Sequence, residues 1–261
     1  MTKRTKILEI HQYDHPFSPR EDDNVGTMVC WHRDYTLGDE QPKNSPTEYR
    51  EGMIAEVDEQ FLEDLEEESE KFFDANPYDP LAHGQYERVH REWDEIYEDR
   101  IATKLAEHYI ILPLYLYDHS GLSISTGSFS CPWDSGQVGF IYVSRALAAE
   151  EYGAKTFPEL RYKDDEVHEF QSLDELAEYY LTGEVETYDQ YLRGDVYGFV
   201  LRGEDGEEED SCWGFYGDDW RTNGITDHVN LSEVKAVHYM EQQTYTRMEP
   251  ADIEELSDGT T

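Results

Sequence analysis

Residues Tyr109–Ser144 read YIILPLYLYDHSGLSISTGSFSCPWDSGQVGFIYVS, and only two of them carry a formal charge in a strongly acidic chain. Within this segment, residues 110–117, 122–126 and 136–144 are rich in β-branched and aromatic side chains. Turns that contain glycine separate the three runs, a pattern typical of neighbouring strands. The segment therefore predicts a sheet core, which the acidic flanks of the chain surround.

Residues 45–73 predict a long helix on the N-terminal side of this core. Ser45, Pro46 and Glu48 form a helix start, with a capping box and proline at the first helical position. The apolar positions recur at spacings of three and four and predict one buried stripe. They are Ile54, Val57, Phe61, Leu65 and Phe72.

A second helix is predicted to begin at Asp79 and Pro80, after the break at residues 76–80. Its predicted inward positions are Tyr86, Val89, Trp93, Ile96 and Leu105. The two helices should pair as an antiparallel hairpin over about residues 45–108.

The remaining segments complete an α+β prediction, in which a mixed or antiparallel sheet carries the long helical hairpin and further short helices on one side. Residues 27–32, 196–202 and 211–216 predict strands. Predicted helices cover 145–152, 172–181, 184–192 and, capped by Asn230, 231–242. Residues 1–248 are expected to form a single domain, and 249–261 an acidic, disordered tail.

The charge balance excludes several classes of protein. The 261 residues include 60 Asp or Glu and 21 Lys or Arg, so the formal net charge is −39. Direct nucleic-acid binding requires a basic surface, as does attachment to an anionic membrane, and neither is expected here. The 20 Tyr, 10 Phe and 5 Trp nevertheless predict a folded chain rather than a disordered one.

The sequence predicts a cytoplasmic protein. The longest apolar run, Tyr109–Tyr117, is less than half of the roughly 20 residues that a membrane span needs. The N-terminus lacks the apolar region of a signal peptide. Three widely spaced cysteines do not form a disulfide framework, so reduced thiols are expected.

Five segments resemble a protein family that is common in bacteriophage genomes and other mobile elements. They are Asp23–Arg33 (DNVGTMVCWHR), Tyr115–Gly121 (YLYDHSG), Cys131–Val143 (CPWDSGQVGFIYV), Glu184–Tyr191 (EVETYDQY) and Asp210–Gly217 (DSCWGFYG). That family has no established activity, so the resemblance implies an origin rather than a mechanism. Its usual members are less acidic and richer in Lys than this chain.

Two explanations of the charge remain open. A surface rich in Asp and Glu and poor in Lys is typical of haloarchaeal proteins, which must stay hydrated in molar salt. Alternatively, carboxylates about 5–6 Å apart along one helix face imitate the phosphates of a nucleic acid and would contact a basic host factor, in an anti-defence role for example. The candidate contact residues are Glu56, Glu59, Glu63, Glu66 and Glu70.

An enzymatic alternative is a Cys/His-dependent hydrolase or transferase. Cys131 would be the nucleophile, His119 its base, and Asp118 or Asp134 the group that orients the imidazole. The simpler interpretation makes both segments turns, in which Asp side chains cap backbone amides.

No cofactor and no metal site is predicted. Cys30 and His32 are the candidates nearest to a metal-binding pair, but the close Cys or His spacing of zinc sites is absent. We therefore expect an accessory binding protein of a virus, provirus or plasmid, with no direct contact to nucleic acid or membrane. A third alternative is a virion or structural component with a salt-adapted surface.

Overall fold

The computed structural model describes residues 6–79, 82, 84–153, 156–163, 166–241 and 244–247, and the predicted acidic tail 249–261 lies outside them. The strands are β1 (Lys6–Gln12), β2 (Thr27–Cys30), β3 (Tyr109–Asp118), β4 (Leu122–Ser125), β5 (Ser135–Ser144), β6 (Glu159–Lys163), β7 (Glu166–Phe170), β8 (Val196–Arg202), β9 (Glu208–Tyr216), β10 (Val234–Glu241) and β11 (Thr244–Arg247). The helices are α1 (Pro46–Ala75), α2 (Gln85–His108), α3 (Arg145–Glu151), α4 (Leu173–Arg193) and α5 (Ile225–His228). This arrangement confirms the α+β class.

The neutral segment forms the centre of a four-stranded antiparallel sheet in the order β2-β5-β3-β4. Successive side chains of a strand point to opposite faces. Ile141 therefore packs with Leu176 and Leu181 of α4, while Phe140 packs with Ile54 and Leu105 of α1 and α2. Helices thus cover both faces of this sheet, and the prediction of helices on one side was wrong.

A second sheet has the order β11-β10-β1-β8-β9, with β1 parallel to β10 and antiparallel to β8. Its core contains Leu8, Ile10, Phe199 and Val237, and Trp220 packs on it. The predicted helix 231–242 was wrong, because Asn230 caps only a short 3-10 turn before β10 begins. The β-branched valines of β10 instead pack beside β1, a strand that the sequence patterns did not predict.

The helix α1 consists of two segments that meet at Asp58. Ser45 and Glu48 form the predicted capping box at its start. Asp58 then has extended backbone angles, φ −160° and ψ 80°, and its Oδ1 accepts a hydrogen bond from the Phe61 amide at 3.3 Å. Asp58 therefore caps the second segment as an N-cap residue does. Val57, predicted to be inward, lies immediately before the break and is 41% exposed.

The second segment of α1 runs antiparallel to α2. Phe73 contacts His90 near the break between the two helices, and Lys104 binds Asp58 at the opposite end. The helix α2 begins at Gln85 rather than at the predicted Asp79, and Tyr86, predicted to be inward, is exposed. The predicted pieces at 172–181 and 184–192 form one continuous helix, α4.

Candidate functional site

The five glutamates proposed as a contact surface are all exposed. We call Glu56, Glu59, Glu63, Glu66 and Glu70 the acidic face. The last four share the second segment of α1 and recur at spacings of three and four, so their carboxylates follow one helix face. Glu56 precedes the break at Asp58, and helical periodicity does not place it in line with the other four.

Four basic side chains of the two long helices bind carboxylates outside the acidic face. Arg50 makes a bidentate contact with Glu98, with N–O distances of 2.7 and 2.9 Å. The other pairs are Arg100 with Glu68, Lys104 with both Asp58 and Glu107, and Lys71 with Glu67. No salt bridge within the described ranges involves a member of the acidic face, so its charge remains uncompensated by neighbouring side chains.

The structure brings three of the four predicted catalytic candidates together. The Cys131 thiol lies 3.4 Å from Asp134 Oδ2, and His119 Nδ1 lies 3.8 Å from the same oxygen. The carboxylate therefore stands next to both groups. An activated nucleophile needs direct contact between thiol and imidazole, with the carboxylate behind the imidazole. The order of contacts here is different from that of a catalytic triad.

Asp118 ends β3, His119 follows it, and Cys131 and Asp134 lie in the loop before β5. The Asp118 amide donates to the Asp134 carbonyl at 2.8 Å, which ties the end of β3 to the loop before β5. Ser135 Oγ donates to the Cys131 carbonyl at 2.5 Å. Trp133 beside them is 91% exposed.

Cys30 and His32 do not share a site. Cys30 is completely buried in the sheet core, and burial raises the pKa of its thiol to about 12. His32 Nδ1 instead accepts hydrogen bonds from the amides of Asp34 and Tyr35, at 3.2 and 3.1 Å. Among the described residues, no three His, Cys, Asp or Glu side chains are grouped as a metal site requires.

A buried ionic network around Arg20 was not predicted from the sequence. The Arg20 side chain is 4% exposed, and its guanidinium binds Asp39 through two nitrogens, at 3.0 and 2.6 Å. It also donates to Glu184 Oε2 at 2.8 Å, while Glu184 Oε1 accepts from the amides of Val25 and Gly26. The network fixes the chain before β2 on α4.

Other residues of α4 between positions 184 and 191 make further contacts of this kind. Asp189 accepts from the Ser123 hydroxyl and the Ile124 amide, at 2.7 and 2.9 Å, and Tyr188 OH accepts from the Gly38 amide. Together with Glu184, these residues connect α4 to three loop or strand segments. Residues 23–33, 115–121, 131–143 and 184–191 therefore meet in the central sheet and its α4 contacts, where they have a structural role.

A cavity of about 640 Å³ lies beside the face of the central sheet that packs against α1 and α2. The start of α1 and the end of α2 form its other walls. Trp31, Phe140 and Leu105 line it, and the Arg50–Glu98 pair lies at its wall. Its volume falls in the range of about 300–1,000 Å³ typical of ligand sites.

A second cavity of about 340 Å³ adjoins the acidic face. Glu66 of that face lines it together with Trp93 and Tyr97 of α2. Unlike the first cavity, it combines aromatic rings with carboxylates that no basic side chain of the described residues binds.

No protein-family model, curated protein or solved structure matches this chain. Among the residues that the structure describes, no helix combines the length and apolar character needed to cross a bilayer. Inferences about function therefore rest on the chain itself.

Proposed function

We propose that this protein is an accessory binding protein of a virus, provirus or plasmid, and that its acidic face binds a basic, nucleic-acid-binding host protein. The observation that carries the proposal is the row of exposed glutamates on the second segment of α1, none of which forms a salt bridge within the described residues. A basic partner would supply the missing counter-charges. The origin from a mobile element rests on the resemblance of the five segments.

The electrostatics favour such a partner over nucleic acid itself. A net charge of −39 repels phosphates and attracts cationic proteins, and it accelerates their encounter at low ionic strength. A row of carboxylates on a rigid helix needs no ordering before it binds, so little conformational entropy is lost on association. The protein would therefore occupy the groove in which the partner normally holds nucleic acid.

A competition experiment tests the proposal. Purified basic DNA-binding proteins would each be loaded onto a short fluorescent duplex, and this chain would be added as the competitor while anisotropy is followed. We expect it to release the duplex from at least one of them, less effectively as salt rises. Replacing Glu59, Glu63, Glu66 and Glu70 with Lys should abolish the release.

A matched variant separates the acidic face from net charge. Glu150, Glu151, Glu178 and Glu186 are exposed on α3 and α4, which cover the other face of the central sheet. Their change to Lys alters the total charge equally and should leave competition intact. An equal loss of competition in both variants would show that net charge alone accounts for the release of the duplex. If the unaltered protein releases no duplex, nucleic-acid mimicry is contradicted.

A further inference from the structure

The cavity beside the acidic face exists because α1 is broken. Glu51 comes from the first segment of α1, Leu62 and Glu66 come from the second, and Trp93 and Tyr97 come from α2. Glu51 and Glu66 are 15 positions apart in the sequence. In a continuous helix they would lie about 22 Å apart along the axis, too far to line one cavity.

The chemistry of the lining is that of a cation site with an aromatic wall. Trp93 is 8% exposed and held in place by Phe72, whose ring centroid lies 5.3 Å away. Tyr97 OH donates a hydrogen bond to Glu51 Oε1, which fixes both side chains. Glu66 is exposed at the same cavity and has no salt bridge within the described residues. The walls are therefore ordered, and a carboxylate remains available.

We propose that this cavity receives one arginine side chain of the basic partner. The aliphatic part of arginine would pack on Leu62, and its planar guanidinium would lie against Trp93 while pairing with Glu66. Guanidinium groups stack on aromatic rings and bind carboxylates through two nitrogens, which an ammonium group cannot do. A volume of about 340 Å³, at the low end for ligand sites, suits a single side chain. The inference rests on the proposed function and adds an anchor to it.

The test uses two short fluorescent peptides that alternate glycine with either arginine or lysine, with anisotropy measured on the full chain. We expect the arginine peptide to bind more tightly. Ser69 also lines the cavity, so Ser69→Phe would fill it without changing charge. This variant should weaken binding of the arginine peptide about tenfold, or ~1.4 kcal/mol, whereas Ser69→Ala should not.

A second pair of variants covers the case in which Ser69→Phe does not fold. Glu66→Gln and Glu70→Gln remove the same charge from the same helix, but only Glu66 lines the cavity. Glu66→Gln should therefore weaken arginine-peptide binding more, and it should abolish the preference over lysine.

The outcomes distinguish the anchor from the proposed function. Equal effects of the two Gln variants, or no preference for arginine, would overturn the anchor. The proposed function would then still stand if the chain displaces DNA and the four-Lys variant does not. If the unaltered chain does not displace DNA, the proposed function itself is contradicted, whatever result the peptide experiments give.

Discussion

Arg20 Nη1 donates to Glu184 Oε2 at 2.8 Å and so joins the segment before β2 to the middle of α4. The contact is nearly inaccessible to solvent on the arginine side, and Asp39 completes it. Removing one partner of a buried ion pair leaves uncompensated charge and typically costs about 3–5 kcal/mol.

Arg20→Ala should therefore destabilise the fold by about 3 kcal/mol, the lower end of that range, because Asp39 and Glu184 retain some contact with water. Urea unfolding gives the measurement. Glu184→Gln retains an acceptor for the Val25 and Gly26 amides and should cost less. Equal midpoints for Arg20→Ala and the unaltered protein would show that the network is not stabilising.

Gly139 should be intolerant of any side chain. A Cβ at this position would lie 1.9 Å from the carbonyl oxygen of Val29 on the neighbouring strand, and neither backbone can yield without breaking the β2–β5 pairing. Gly139→Ala should cost more than about 3 kcal/mol, the upper range for an inserted core methylene. Gly136→Ala in the same strand is the control, since nothing lies within 4 Å of its Cβ. Similar unfolding midpoints for both would contradict the close approach of β2 to β5 at this glycine.

Asp58 should make the packing of α1 against α2 sensitive to acid. Its hydrogen bond to Lys104 holds the pKa of the carboxyl below the ordinary value. The stability that ionised Asp58 gives to the fold is therefore present above the unfolded-state pKa of about 3.9. It is lost as pH falls through the lower pKa of Asp58 in the folded state.

Variants of Asp58 separate the cap from the charge. Asp58→Asn retains an acceptor for the Phe61 amide, and Asp58→Ala loses it, so the Ala variant should unfold at lower urea. The difference in stability between the unaltered protein and Asp58→Asn should shrink as pH falls below about 3.9. A difference that is independent of pH would argue against the Lys104 ion pair.

The cysteines should differ in reactivity. Cys30 is fully buried, whereas Cys131 and Cys212 are partly accessible. At pH 8 a thiol reagent should modify two cysteines of the folded protein and the third only after unfolding. Cys131→Ser should remove one of the fast thiols and Cys30→Ala none. Fast labelling of Cys30 would contradict its place in the sheet core.

Salt should stabilise the fold, because the protein has a net charge of −39 and its carboxylates repel one another in dilute buffer. Raising ionic strength from 0.1 to 1 M shortens the screening length from about 10 to 3 Å. The urea midpoint should rise over this interval. A chain that folds only at molar salt would assign the charge to a saline habitat, and stable folding in dilute buffer would favour the binding surface.

The sequence alone determined those elements whose signals are local. The neutral segment predicted β3, β4 and β5, because β-branched side chains and glycine turns specify strands without reference to distant residues. Ser45 and Glu48 likewise predicted the start of α1, since a capping box lies within one helical turn. The composition predicted an acidic surface with the glutamates of the acidic face turned outward, as they are.

Only the tertiary structure decided what depends on distant partners. Valine-rich β10 became a strand because β1, more than 220 positions earlier, lies beside it. Asp58 ended one helix and began another where Lys104 could reach it, although its capping signal, an Asp three positions before Phe61, was present in the sequence. The cavity beside the acidic face and the Arg20 network likewise depend on residues that are distant in the sequence. Pairing and burial energies between remote segments outweigh the weak local preferences from which secondary structure is predicted.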